Sequence, residues 1–177
     1  MRASVPTEPT ELYDQDFYAW TQQQAAALRA HFRGDNRLDV EHLAEEVEDL
    51  GKSELHAVEG YVENIMTHLL KLDYSSLDWP RNHWRREILA FRQSLQRRLT
   101  PSLRRTVLED FDKRYTNARE SAASDLLESE PGIRRRLPAI NPYDWKAIEH
   151  HEDVRVVLAE QDAAADRPGR PRGKRKV

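Results

Sequence analysis

The residues of this sequence that could do chemistry together are Glu46, Glu54, Tyr61, His68 and Arg92. Carboxylates, an imidazole, a phenol and a guanidinium can hold a metal or move a proton, provided that they converge. Four of them lie in a segment where apolar residues recur at three- and four-residue steps: Val40, Leu43, Val47, Leu50, Val58, Tyr61, Ile65, Leu69 and Leu72. That spacing is the signature of one helix face. Counted from Ile65 at about 100° per residue, Glu54 falls near about −20°, Tyr61 near about −40° and His68 near about −60°, so all three are expected to face a core. Arg92 stands between Ile88 and Leu95 of a second apolar stripe and is expected to point inward as well. A buried charge requires a partner. The expectation is therefore a buried polar cluster in which Arg92 pairs with Glu54 or Glu46, with His68 or Tyr61 beside it. The plain alternative is an ion pair that sets helix register and does no chemistry.

Other chemistries find less material. Cysteine is absent, which removes disulfides, thiolate metal sites and thiol nucleophiles and agrees with a reducing cytoplasm. There is no Gly-x-Ser-x-Gly elbow and no Gly-rich phosphate loop, and Ser53 and Ser102 read as structural. A two-metal helical bundle needs a Glu-x-x-His pair on each of two helices. The nearest run here, Glu149 to Asp153 with His150 and His151, reads as a solvated face, and Glu45, Glu46, Glu48 and Asp49 splay around one helix. No metal or cofactor is expected. His31, His42, His56 and His83 fall off the apolar stripes and read as solvated. Nucleic acid is a further option: Arg167, Arg170, Arg172, Lys174, Arg175 and Lys176 could bind phosphate backbones without sequence preference. The alternative is a solubilising tail, and no known nucleic-acid-binding module is present.

The elements that must position these residues are helical throughout. Residues 1–12 contain Pro6 and Pro9 and read as an extended lead-in without the apolar stretch of a signal peptide. Asp14 can cap a first helix carrying Phe17, Trp20, Leu28 and Phe32, closed by a turn at Gly34 to Asn36. Asp39 can cap a single long helix to about Leu72, its stripe holding phase across Gly51. At ~1.5 Å per residue it would be about 50 Å long, which demands long partner helices or a second chain. A third helix spans about Arg81 to Leu99. Thr100-Pro101 starts a fourth, with Val107, Phe111, Tyr115, Ala118 and Ala122 inward, and Asn141-Pro142 a short fifth bearing Trp145 and Ile148. Residues 159–177 are basic and read as disordered. No strand, internal repeat or membrane-length apolar run is evident.

Charge is segregated. The chain has 177 residues and a net charge of −3, with 38% hydrophobic and 33% charged residues. Asp39 to Glu54 holds seven acids and one Lys, and Arg81 to Arg105 holds eight Arg and one Glu. This predicts that the second and third helices pair acid to base.

Specific strings also resemble a known family. Leu43-Ala44-Glu45-Glu46-Val47-Glu48-Asp49-Leu50-Gly51-Lys52-Ser53-Glu54 is followed by His68-Leu69-Leu70-Lys71-Leu72, Trp84 to Ile88, Arg92, Pro101-Ser102-Leu103 and Tyr115. In that order, with the opening Tyr13-Asp14-Gln15-Asp16-Phe17-Tyr18-Ala19-Trp20, they resemble the bacterial domain-of-unknown-function family twenty-nine over roughly residues 12–148. The resemblance implies an all-helical fold and a bacterial, intracellular setting, and it carries no activity. Asn141 stands where that family often has a cysteine before Pro-Tyr, and the basic tail lies outside its core.

The sequence thus predicts an all-α, elongated bundle of about four main helices plus a short C-terminal one, as a single domain over 13–158. The expected role is a cytoplasmic protein-interaction or scaffold module, with a protein partner or a homodimer through the long helix. The alternatives are a metal-binding or hydrolytic bundle enzyme using the Glu/His/Arg cluster, and weak nucleic-acid binding through the tail.

Overall fold

The computed structural model describes residues 9–31 and 37–150. In chain order its helices are α1 (Pro9–Gln15), α2 (Phe17–His31), α3 (Val40–Tyr74), α4 (Arg81–Arg98), α5 (Pro101–Glu109), α6 (Phe111–Leu126), α7 (Ile133–Arg136) and α8 (Trp145–His150), and no strand occurs among the described residues. The fold class is the all-α bundle that the periodicity predicts.

The long helix forms as its caps predict. The Asp39 carboxylate accepts the His42 amide, and 35 residues then run without interruption to Tyr74. At the far end Ser75 leaves the helix, and its N–H still bonds the Lys71 carbonyl. The Arg81 guanidinium donates to the Leu72 carbonyl at 2.8 Å, placing a cation on the negative end of the helix.

Side-chain contacts fix how the others lie against it. Arg98 meets Glu54, Phe91 meets Tyr61 and His68, and Arg81 meets Leu72, so α4 runs antiparallel to α3. Arg114 meets Glu59, Asn117 meets Glu63 and Lys71 meets Asp125, so α6 runs parallel to it. Between them the second half of α3 is enclosed: Val58, Val62, Ile65, Met66, Leu69, Leu70 and Leu72 are all buried. This is wider than the stripe read from sequence, because α4 and α6 cover both flanks. Ala118, Ala122 and Ala123 are buried on α6, where small side chains let it lie close to α3.

The first half of α3 has a different neighbour. Arg29 of α2 bonds Glu41 at 2.9 Å and Glu48 at 3.0 Å. Gly51 is buried beneath α2, and a Cβ there would sit 2.1 Å from Thr21 Oγ1. Glycine is thus the contact that lets α2 cross, and the helix is not weakened into two at that point.

Several expectations are corrected. The extended lead-in ends sooner, since α1 begins at Pro9, a residue suited to the first turn of a helix. The first predicted helix is two helices, split at Asp16, whose carboxylate takes the Ala19 amide at 3.1 Å and so caps α2. The fourth is divided at Asp110, which leaves helical geometry at φ −113°, ψ 24°. α7 was not expected at all. The last helix starts three residues after Pro142: Asn141 instead makes a local turn to the Tyr143 amide, and Asp144 caps α8 through the Ala147 amide. Of the acidic run that was expected to face the third helix, Glu54 meets Arg98 of α4, while Glu41 and Glu48 meet Arg29 of α2, because α4 covers the apolar half of α3. Phe32, the Gly34 to Asn36 turn, the continuation through Val154 and Leu158, and the basic tail lie outside the described residues.

The two glycines of α3 make opposite predictions. Gly51→Ala should lower unfolding stability by about 1–3 kcal/mol through overpacking against Thr21. Gly60→Ala, where an added Cβ meets nothing within 4 Å, should raise it by about 0.5–1 kcal/mol. Urea denaturation of both variants checks the pair.

Candidate functional site

The predicted cluster is dispersed along the α3–α4 seam. Arg92 is half-buried and points inward as expected, but its partners are backbone: Nε donates to the Ile148 carbonyl at 2.7 Å and a terminal NH2 donates to Ala147 at 2.9 Å. It ties α4 to α8. Burial lowers its pKa from the ordinary arginine value. Glu54 pairs instead with Arg98, which reaches both carboxylate oxygens at 2.8 and 2.9 Å. Glu46 is exposed. Tyr61 and His68 both lie against the Phe91 ring, with centroids 6.5 and 5.8 Å away. His68 Nδ1 donates to the Asn64 carbonyl at 2.8 Å, which leaves Nε2 as the acceptor nitrogen of the neutral ring. The structure therefore brings Tyr61 and His68 to one ring, links Glu54 to Tyr61 through Arg98, and keeps Arg92 and Glu46 out of that group. Among the described residues Arg92 meets two carbonyls of α8, whose position no local pattern reveals, and not a carboxylate.

Three polar sites went unread. Asp16 is buried, and its carboxylate accepts the Ser102 amide at 3.0 Å, the Ser102 hydroxyl at 2.5 Å and the Thr100 hydroxyl at 3.0 Å, besides capping α2. One side chain thus serves the N-termini of α2 and α5, where a negative charge is favoured. Thr100-Pro101 was readable as a helix start, but its partner lies 84 residues away. Arg114 bridges Glu59 at 2.5 Å and Glu63 at 3.1 Å, two acids spaced one helical turn apart on α3. Glu130 is buried under Ser75, Ser76 and Arg136 at the end of α3. A depression of about 450 Å³ is lined by Pro101, Arg104, Arg105, Leu108 and Glu109, and one of about 350 Å³ by Thr10, Tyr13, Trp20 and Gln24. Neither includes any residue of the predicted cluster. Among the described residues no three His, Asp or Glu side chains group closely enough to hold a metal ion.

Among the exposed residues are several large apolar side chains. On α3, Leu43 is 45% exposed and Leu50 55% exposed. Both belong to the stripe expected to be inward, and both precede Glu54, where the end of α4 is anchored by Arg98. Trp79, in the turn before α4, is 94% exposed.

The family model for the domain of unknown function DUF29 matches residues 12–152. This chain belongs to the DUF29 family. Its fold is also similar to the crystal structure of an α-helical protein of unknown function from Rhodospirillum rubrum, at a TM-score of 0.69 and 26% identity over 83% of this chain and 96% of that one. No curated protein matches the chain. The DUF29 match spans every described helix that carries a predicted site residue, and no described helix is long and apolar enough to cross a membrane.

Two predictions follow from the polar groups of this DUF29 chain. Asp16→Ala, which strands two hydroxyls and two amides, should cost about 2–4 kcal/mol in urea denaturation. The histidines should titrate in opposite directions. Burial holds His68 below the ordinary value of 6.5, with the Asn64 hydrogen bond opposing. Its contribution to stability is complete above pH 6.5 and is lost as pH falls through its depressed folded value. At the exposed N-cap, the hydrogen bond to Asp39 holds His42 above 6.5, so its contribution is complete below pH 6.5 and is lost as pH rises through the raised value. NMR titration of the two imidazoles should place His42 above His68, and His68→Gln should flatten the acid-side loss of stability.

Proposed function

We propose that this DUF29 protein is a protein-interaction module of the bacterial cytoplasm whose binding face is the uncovered first half of α3. The observation that carries the reading is the exposure of Leu43 and Leu50 on a helix face that is apolar elsewhere along its length. Leucines one heptad apart on one helix make a continuous strip, and such strips on soluble domains mark contact surfaces. The polar residues support the same reading. Arg92, Glu54, Arg114 and Asp16 are engaged in joining one helix to another, so their bonds hold the scaffold that displays α3. Acidic residues Glu45, Glu46 and Asp49 beside the leucines keep the strip solvated when it is empty.

Cross-linking in cells tests this. A benzophenone amino acid in place of Leu43 or Leu50 should form protein adducts on irradiation, and one in place of Gln93, exposed on α4, should not. Absence of adducts from positions 43 and 50, or equal adducts from all three, would remove the reading.

A further inference from the structure

The exposed leucines repeat a pattern that the same helix uses inside the fold. Leu43 precedes Tyr61 by eighteen residues, and Leu50 precedes His68 by the same interval. Eighteen residues are about five whole turns, so each leucine lies directly in line with its counterpart. Tyr61 and His68 are the residues on which the Phe91 ring of α4 rests. The apolar face that α4 covers therefore continues along α3 past the point where α4 stops, at the Arg98–Glu54 pair. α2 does not fill the continuation, because its contacts through Gly51, Glu41 and Glu48 lie on a neighbouring face of α3.

Charge selects the occupant. Residues 39–54 carry seven acids against one Lys. Arg29 and Lys52 engage Glu41, Glu48 and Asp49, while Glu45 and Glu46 stand exposed. A second copy laid face to face would set this acidic segment against itself, which opposes association. α4 supplies the template of what fits: an amphipathic helix with aromatic and aliphatic residues on one face and five Arg from Arg85 to Arg98, the last of which clasps an α3 carboxylate.

We propose that the apolar face of α3 at Leu43 and Leu50 receives a basic amphipathic helix of another protein, laid end to end with α4. This rests on the reading that the first half of α3 is the binding face, and adds the chemical class of the partner and its line of approach. The partner places apolar residues over Leu43, Val47 and Leu50 and a basic residue beside Glu46.

The test uses the full chain and, as probe, a fluorescein-labelled peptide of residues 81–98, with a second peptide in which every Arg is replaced by Glu. Anisotropy should show the basic peptide binding, more weakly as salt rises. The acidic peptide should not bind. The exposed double variant Leu43→Ser/Leu50→Ser should weaken binding by at least about tenfold, and Glu46→Lys should weaken it severalfold with a shallower salt dependence. Equal binding to wild type and double variant would place the peptide elsewhere and overturn the proposal, as would equal binding of the two peptides, or no binding of either. A wild-type dimer in sedimentation that Leu43→Ser/Leu50→Ser converts to monomer would also overturn it, making a second copy the occupant. In each of these cases adducts from positions 43 and 50 in the cross-linking experiment would still stand, so a failed partner class is separable from a failed binding face.

Discussion

The structure is governed by a mismatch of lengths. α3 has 35 residues and α4, which packs along it, has 18. At ~1.5 Å per residue these are about 50 Å and about 27 Å. α4 and α6 can enclose only one half of the long helix, and there the apolar residues disappear almost all the way round. Over the other half α2 covers a single face, relying on Gly51 to come close. The same apolar periodicity therefore produces a core in one half of the helix and an open strip in the other. Sequence pattern cannot tell these apart, because it records which side of a helix is apolar and not how far its neighbours reach.

Electrostatics is arranged around that division. The acidic half of α3 is joined to α2 by Arg29, and the buried half is joined to α6 by Arg114 and Lys71. The arginines of α4 serve three different tasks: Arg98 clasps Glu54, Arg81 satisfies the end of α3, and Arg92 holds two carbonyls of α8. A guanidinium suits all three, since its donors fit carbonyls as well as carboxylates. Net charges of segments suggested a simple acid-to-base pairing of two helices. What decides the pairing in the fold is which apolar faces meet, and the charges then find partners within reach.

The local grammar of the chain was legible. Asp39 at the head of α3, Thr100-Pro101 at the head of α5, and the inward residues Trp84, Ile88 and Leu95 of α4 are where their spacing puts them. The candidate site was legible residue by residue and not as a site. Arg92, Tyr61 and His68 do turn inward, yet Arg92 meets backbone from α8, 55 and 56 residues further on. Asp16 shows the same limit more sharply. The cap of the first helix was placed at Asp14 and Asp16 was given no role, because the hydroxyls of Thr100 and Ser102 that define that role arrive only through tertiary structure.

That Asp16 junction also bears on how the open strip is held. An α2–α3 pair standing beyond the core would be free to splay if α2 were anchored only by its contacts with α3. The carboxylate at the head of α2 is instead bonded to the head of α5, which itself carries the buried Leu103 and Val107. α2 is therefore fixed at its N-terminal end by Asp16, at its middle by Gly51 and towards its C-terminal end by Arg29. Three points along one short helix determine its line, and with it the face of α3 that remains uncovered. The apolar strip is thus presented by a braced hairpin. For the helical partner proposed above, a surface held this way would not have to order itself first, which lowers the entropic cost of docking. In this fold the buried polar bonds act as the frame, and the face of α3 that they leave uncovered carries leucines among carboxylates.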